Sequence, residues 1–355
     1  MVKSSNRDAA TDLTPSRRNF LAGGIALGAA TALPAMAGPA TGNGPRVIVD
    51  NDFGGDPDGL FLLAHLLMCR SISVPLVIGT HYKDFGAADL VPDKGRVSAE
   101  KAGELLRFFP KGNRPPVIAG TGQPVGSQPA GRESPASAAI IREALSSDRS
   151  GPLYYAAGGS LTEIALAWLA EPKIGKRLKL VWIGGNEHPG LAMPPPGPGE
   201  AEYNFSLDRA AAQVVFNQSD IEIWQIPRNA FRQMLIGLAE LDELAKANPL
   251  GRYLRGQVVQ TEQRLAQNLP GFIFTAGETY TLGDTALVTL TALQSAFQPD
   301  TASSNYLLRP TPILAADGSY GANPSGRPMR VYTSIDANLT WRDFAAKLRL
   351  LNSRR

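Results

Sequence analysis

The sequence predicts an α/β fold with a mostly parallel central sheet, helices on both of its faces, and added helices in the C-terminal third. Three observations predict it. Short β-branched runs alternate with helical-period segments from Arg46 to Ile226, the rhythm of parallel strands joined by crossover helices. The strand-like runs are mostly apolar along their whole length, as strands covered on both faces must be. Glycine-rich and polar motifs recur just after those runs, where open parallel sheets place their ligands.

Arg46-Val47-Ile48-Val49-Asp50 is the first strand. A Gly-rich turn over 54–59 leads into an apolar helix from Leu60 to Met68. Val74–Gly79 is the second strand, Ser98–Phe109 a helix, Pro116–Ala119 the third strand and 136–146 a helix. Leu153–Ala157 and Leu178–Ile183 are strands that bracket a helix at Leu161–Leu169. Ser206–Phe216 is helical, with Leu207, Ala211, Val214 and Val215 on one side, and Ile221–Ile226 alternates as a strand. Residues 235–267 are helical and more polar. Asp284–Phe297 is a further helix, Val331–Ile335 a late strand, and Thr340 caps a last helix over Trp341–Leu351. Gly and Pro cluster at 120–135 and 189–199, which read as loops.

The N-terminus has a different character. Ser16-Arg17-Arg18-Asn19-Phe20-Leu21 is a twin-arginine signature, an apolar Ala/Gly-rich run extends to Leu33, and Ala35-Met36-Ala37 is a small-x-small cleavage box. Residues 1–37 therefore read as a twin-arginine signal peptide and 38–355 as a single domain, periplasmic or secreted, with no stable membrane association after cleavage. The apolar run is too short and too Gly-rich to span a bilayer. Lys3, Arg7, Arg17 and Arg18 against Asp8 and Asp12 supply +2 of the formal +3, so the remainder is near +1, which excludes a nucleic-acid partner held by a basic face. The single cysteine, Cys69, forbids an intrachain disulfide and reads as a small buried hydrophobe beside Leu66-Leu67-Met68.

Asp50, Asp52, Asp56 and Asp58 crowd into nine residues, interleaved with Gly54, Gly55 and Gly59. Such carboxylates repel one another, and a divalent cation is the simplest group to offset that. An all-oxygen donor set favours Ca²⁺, with Mg²⁺ the alternative, over zinc. Asp58 alone would also serve as a helix cap. The three histidines, His65, His81 and His188, show no zinc spacing, and His65 sits in the apolar run Leu63–Leu67 as a core residue would.

Here the sequence resembles the nucleoside hydrolase family, the inosine-uridine-preferring type. Val49-Asp50-Asn51-Asp52-Phe53-Gly54-Gly55-Asp56-Pro57-Asp58-Gly59-Leu60 resembles its opening Asp-x-Asp-x-Gly-x-Asp-Asp motif. Gly158-Gly159-Ser160-Leu161-Thr162-Glu163-Ile164-Ala165, Val181-Trp182-Ile183-Gly184-Gly185, Glu202-Tyr203-Asn204-Phe205 and Gly283-Asp284-Thr285-Ala286-Leu287 match four further motifs in order. The resemblance implies hydrolysis of the N-glycosidic bond of ribonucleosides or related ribosides by an expected homo-oligomer. It implies Asp52 as the base that takes a proton from the attacking water. It implies Asp52, Asp56, Asp58, Asp284 and the Gly158 carbonyl as ligands of Ca²⁺. Asp58, Glu202, Asn204, Thr80 and His81 would face the substrate, and Asp50 would support the loop from behind. An oxocarbenium-like transition state gives these carboxylates a developing positive charge to stabilise.

The pattern departs from the family's at four places. The paired Asp-Asp before the helix is Asp56-Pro57 or Asp58-Gly59, an expected Asn falls at Thr80, another falls within Pro194-Pro195-Pro196, and Gly283 stands where a histidine often protonates the leaving base. Tyr280, four residues before Asp284, is the candidate replacement acid, with His81 and His188 behind it. Two other readings compete: a non-catalytic nucleoside- or sugar-binding protein of the same fold, and a haloacid-dehalogenase-type phosphatase, for which a fitting Lys and late acidic pair are not evident. The N-terminal reading generates a direct test. Replacing Arg17 and Arg18 by Lys should leave uncleaved precursor in the cytoplasm, whereas unchanged export of that variant, followed by fractionation and immunoblotting, would refute the twin-arginine reading.

Overall fold

The computed structural model describes residues 44–83, 91–127, 134–147, 151–196, 201–268, 277–295 and 303–352. The signal segment 1–37 and its cleavage box lie outside them. Twelve strands are present among the described residues: β1 Arg46–Asn51, β2 Val77–Gly79, β3 Val117–Ala119, β4 Leu153–Ala157, β5 Lys179–Ile183, β6 Glu222–Ile226, β7 Leu235–Gly237, β8 Thr279–Thr281, β9 Asn305–Pro310, β10 Ile313–Leu314, β11 Tyr320–Gly321 and β12 Pro328–Ser334. The helices are α1 Asp58–Met68, α2 Lys94–Leu106, α3 Pro135–Leu145, α4 Thr162–Ala170, α5 Tyr203–Leu207, α6 Arg209–Gln213, α7 Arg228–Phe231, α8 Leu238–Ala247, α9 Pro249–Asn268, α10 Ala286–Thr291 and α11 Ala337–Asn352.

Eight strands form one sheet in the order β3-β2-β1-β4-β5-β6-β12-β9. Seven are parallel, and β9 closes the edge antiparallel to β12. Strand β1 is buried along its whole length. Val47 and Val49 pack into one core with α1, α10 and α11, while Ile48 packs into the opposite core with α3, α4 and α6. Two hydrophobic layers thus cover the two faces, the arrangement expected of crossover-linked parallel strands. The chain runs outward one way from β1 to β2 and β3, and the other way from β4 to β6. Between β1 and β4 the direction reverses, which opens a crevice beyond their carboxyl ends.

Several expected elements differ in detail. Ser206–Phe216 is not one helix. Asp208 leaves helical geometry with φ −151° and caps α6 through Ala211 N, and a π-helical turn follows at Val214–Gln218. The 235–267 segment opens with β7, which pairs with β8, and it breaks at Asn248 between α8 and α9. The helix expected from Asp284 begins with a 3₁₀ turn, Gly283–Thr285, and its α-helical part ends at Thr291. Strand β9, not expected from sequence, is a largely exposed edge that keeps Leu307 and Leu308 in solvent.

Thr340 lies inside α11 rather than at its start. The cap is Asp336, whose carboxylate accepts the Leu339 amide at 2.8 Å while its carbonyl accepts Thr340 N at 3.2 Å. Asp336→Ala should cost about 1 kcal/mol of stability, read as a fall of roughly 2–4 °C in melting temperature. Unchanged melting would show that the cap contributes nothing.

Candidate active site

The β1–β4 crevice receives its side chains from both strands that flank it. Asp50 pairs with Ala157 in the sheet, and the Gly158 amide continues the ladder to the Asp50 carbonyl at 2.9 Å. Strand alternation then sends neighbouring side chains to opposite faces. Asp50 points into the core with α4 nearby, where it accepts a hydrogen bond from the Tyr155 phenol. Asn51 points the other way and donates its amide to Asp284 Oδ2 at 2.7 Å. Past the strand end, Asp52 turns back, and its carbonyl accepts Gly55 N at 2.7 Å.

Asp52, Asp56, Asp58 and Asp284 all line one cavity of about 410 Å³ beyond these strand ends. The loop that carries the first three is pinned from outside by Arg264 on α9, which donates Nη1 to Gly54 O at 3.0 Å and also bonds Gly55 O. Asp58 opens α1. Its two oxygens accept Gly59 N at 2.9 Å and Asp284 N at 3.2 Å, so the amino ends of α1 and of the 3₁₀ turn share one carboxylate. Pro57 precedes it with no side-chain cap of its own. Asp56 accepts Asp58 N at 3.2 Å and the Tyr280 phenol at 3.2 Å.

Gly158 makes the close approach possible. A Cβ there would lie 2.7 Å from Asp284 Cγ and would also strike the Asn51 amide. At Gly59, similarly, a Cβ would lie 2.6 Å from Asn51 Cγ. Glycine at these two positions lets two strand ends, a helix start and a distant turn converge.

Burial raises the carboxyl of Asp52 well above its ordinary value, and the charges of Asp58 and Asp56 raise it further. Asp284 is raised by burial and then by Asp58 and Asp52. Asp56 is raised by burial and Asp58, against the opposing effect of its hydrogen bonds and Arg264. Asp58 is also raised by burial, with the amides that it accepts acting in the opposite direction. Asp50 is raised by burial despite its Tyr155 bond. Buried like charges this close favour protonation or a bound cation.

Glu202 and Asn204 join the same cavity. Glu202 is buried and caps α5, accepting Asn204 N at 3.0 Å, Phe205 N at 3.0 Å and Gly185 N at 2.7 Å. Asn204 donates its amide to Ile183 O at 2.9 Å, so its oxygen is the end that can accept a hydroxyl proton. Ile183, Phe231 and Leu265 add apolar lining.

Other residues singled out from sequence lie outside the lining. Thr80 is buried and bonds Ser160 Oγ at 3.0 Å. His81 is buried with Nε2 3.3 Å from Leu207 O. Tyr280 is buried with its phenol on Asp56. His188, the other fallback acid, is buried as well. It pairs with Gln225 at 2.8 Å and stacks on Tyr320 with ring centroids 4.1 Å apart. His65 is a core residue bonded to Asp343 at 2.7 Å. Hence none of the three histidines lines the cavity. Beside Gly283, Phe231 fills the space: a Cβ there would sit 3.1 Å from Phe231 Cδ2.

Contributors not singled out from sequence include Asn51, Tyr203, Phe231, Arg264 and Leu265. The Tyr203 phenol accepts Lys83 N at 3.2 Å, and burial followed by the Asp52 charge raises its pKa well above the ordinary value. A signal existed for Asn51 and Tyr203, since each stands between two residues already chosen. Phe231 and Arg264 reach the site only through the tertiary fold.

Comparison with known proteins fits this geometry. The profile of the inosine-uridine preferring nucleoside hydrolase family matches residues 47–338. Two inosine-uridine preferring nucleoside hydrolases align locally: that of Leishmania major, 45% identical over 62 residues, and that of Crithidia fasciculata, 42% identical over 69 residues. These alignments cover 17% and 19% of this chain and only 18% and 19% of the relatives' own lengths. Among solved structures, a plant nucleoside hydrolase superposes with a TM-score of 0.61 at 16% identity, covering 86% of this chain and 98% of that one. The inosine-uridine preferring nucleoside hydrolase of Bacillus anthracis gives 0.58 at 20% identity, covering 86% and 99%. These likenesses show a shared fold. The profile of the twin-arginine translocation pathway signal sequence matches residues 14–34, so the chain carries an export signal directing it to the periplasm or beyond. Among the described residues, no helix is long and apolar enough to cross a membrane. With a family match over most of its length, the chain belongs to the inosine-uridine preferring nucleoside hydrolases, a family of glycosidases acting on N-glycosyl compounds.

Proposed function

We propose that this protein hydrolyses the N-glycosidic bond of ribonucleosides or related ribosides, with Asp52 as the base. The observation that carries the reading is the single cavity shared by four crowded carboxylates and by Glu202 and Asn204. The donor set fits a hard divalent cation. It is all oxygen, its carboxylates are crowded and desolvated, and the Asn51 Oδ1 buried beside it has no hydrogen-bond partner. We assign the cation as Ca²⁺, with Mg²⁺ the alternative, held by Asp52, Asp56, Asp58, Asp284 and the Gly158 carbonyl. When bound, such an ion acidifies and orients water.

The chain's own residues supply the remainder. Asp52, which lines the cavity just past the end of β1, would take the proton from the attacking water. Glu202 and Asn204, fixed by backbone partners at the cavity, would bind sugar hydroxyls. The carboxylates stabilise positive charge as it grows on the ribose ring. Phe231 and Leu265 offer apolar surface to a base and limit water there.

Departure of the base is the step with least help. No imidazole lines the cavity, and the Tyr280 proton is directed at Asp56, with burial followed by the Asp56 and Asp58 charges raising its pKa. We therefore infer a preference for ribosides whose base leaves as a neutral molecule or a stable anion. General acid help is typically worth about 10²–10⁴-fold. Across a riboside series, kcat/KM should fall steeply as leaving-group pKa rises. A flat series led by uridine or inosine would show that a donor exists, and Tyr203→Phe would then test the phenol in the cavity.

Asp52→Asn and Asp284→Ala should each lower kcat for reducing-sugar release by roughly 10²-fold or more with the circular-dichroism spectrum unchanged. Retained turnover in both would overturn the assignment, as would wild-type protein that binds ribosides without releasing sugar.

A stability test follows from the raised carboxylates. As pH rises above about 4, the unfolded chain loses protons that the folded chain still holds. In chelator the melting temperature should therefore fall as pH rises toward neutrality. Ca²⁺ at a hundredfold excess over its Kd should restore about 2.7 kcal/mol, or roughly 5–10 °C. Asp52→Asn should flatten the fall and blunt the Ca²⁺ response, and an undiminished response in that variant would contradict the ligand set.

A further inference from the structure

At the far end of α1 from the acidic loop, a second group of potential ligands comes together. His65 and Cys69 are four residues apart on α1 and its C-cap, and so share one face. Asp343 and Lys347 are four apart on α11, which packs against that face. The ligand atoms of His65, Cys69 and Asp343 all lie within 4.8 Å of one another. His65 Nε2 is 2.7 Å from Asp343 Oδ2. Lys347 Nζ lies 3.1 Å from Cys69 Sγ and also bonds Asp343 Oδ2, so an ammonium occupies the place of a cation. His65 and Cys69 are buried, whereas the Asp343 and Lys347 side chains are 28% and 22% exposed, which gives the group a route to solvent. Asp343 and Lys347 lie beyond residue 338, where the family match ends.

We propose that His65, Cys69 and Asp343 form a zinc site, separate from the acidic cavity, in which the Lys347 ammonium stands in until Zn²⁺ displaces it. The donor chemistry selects the metal. One nitrogen, one sulfur and one carboxylate oxygen are a zinc set, whereas the all-oxygen cavity suits a hard cation. Ligand atoms around a tetrahedral zinc sit about 2.0–2.3 Å from the ion and so roughly 3.3–3.7 Å from one another; His65 Nε2 and Asp343 Oδ2, now 2.7 Å apart, must part slightly while the Cys69 thiol closes in, with a fourth position left for solvent. The charges balance: thiolate and carboxylate offset the ion, and His65 is neutral. Zn–N, Zn–S and Zn–O bonds form and the Cys69 S–H bond breaks, its proton passing to water. The His65 ring proton now facing Asp343 moves to Nδ1, and the Lys347 ammonium, losing both acceptors, swings to solvent. The bound ion would fasten α11 to α1 about 16 Å from the first carboxylate of that helix, the length of its 11 residues.

Cys69 is the chain's only cysteine, which makes the test specific. The full mature chain, first saturated with Ca²⁺, is titrated with Co²⁺ as the zinc surrogate, and the thiolate-to-cobalt charge-transfer absorption is followed. A carboxylate cavity cannot produce that band, so the outcome is independent of the reading of the active site. Saturable absorption is expected in wild type. Lys347→Ala, which removes the competing charge, should tighten binding by about tenfold or more. Cys69→Ser should abolish the band, and His65→Gln should weaken binding by roughly tenfold or more. Zn²⁺ should displace Co²⁺ and raise the melting temperature of wild type but not of Cys69→Ser. Absence of the band in both wild type and folded Lys347→Ala would overturn the proposal and leave an ordinary ion pair. A band indifferent to His65→Gln would overturn it equally, as adventitious thiol binding.

Discussion

Four carboxylates crowded around one cavity, two of them buried and two half-buried, are the constraint on which the rest of the molecule depends. Left alone, Asp52, Asp56, Asp58 and Asp284 would repel one another in a medium that solvates them poorly. The fold answers with the amino ends of α1 and of the Gly283–Thr285 turn, both aimed at Asp58. It adds the Asn51 amide on Asp284 and the Arg264 guanidinium on the loop carbonyls. Gly59 and Gly158 lack the Cβ atoms that would keep these groups from converging. The reversal of strand order between β1 and β4 provides the crevice itself. None of these devices removes the charge, and all of them hold it in register for something that can.

The fold was legible where burial leaves a mark on composition. Strands β1 to β6 are nearly all apolar because both faces of the sheet are covered, and their order in sequence follows the alternation with helices. Strands β7 to β11 left no such mark. They are short or exposed, and their pairing depends on partners far along the chain. The C-terminal helix was legible, but its start was displaced by four residues, because Thr340 has the composition of a cap while Asp336 has the geometry of one.

The site was legible in a similar proportion. The acidic loop is visible as a local crowding of carboxylates, and it lines the cavity. Asp284, more than two hundred residues away, carries no local sign of its role and was reached through resemblance alone. Thr80 and His81 follow a strand end yet turn into the protein, since a strand-end position fixes location without fixing which way a side chain faces. Arg264 sits on a polar helix among other charged residues, and only the packing of α9 over the loop distinguishes it from them.

The Asn51–Asp284 bond spans 233 residues of sequence, and that separation bears on how the protein matures. Contacts so distant in the chain close late and slow the search for the native state. During synthesis, the acidic loop emerges early and must wait for nearly the whole sheet before Asp284 arrives. Until then three carboxylates of the loop lack the turn that completes their enclosure, and they remain hydrated. An intact cavity is accordingly a marker of a finished chain, one that a truncated or half-folded precursor cannot display.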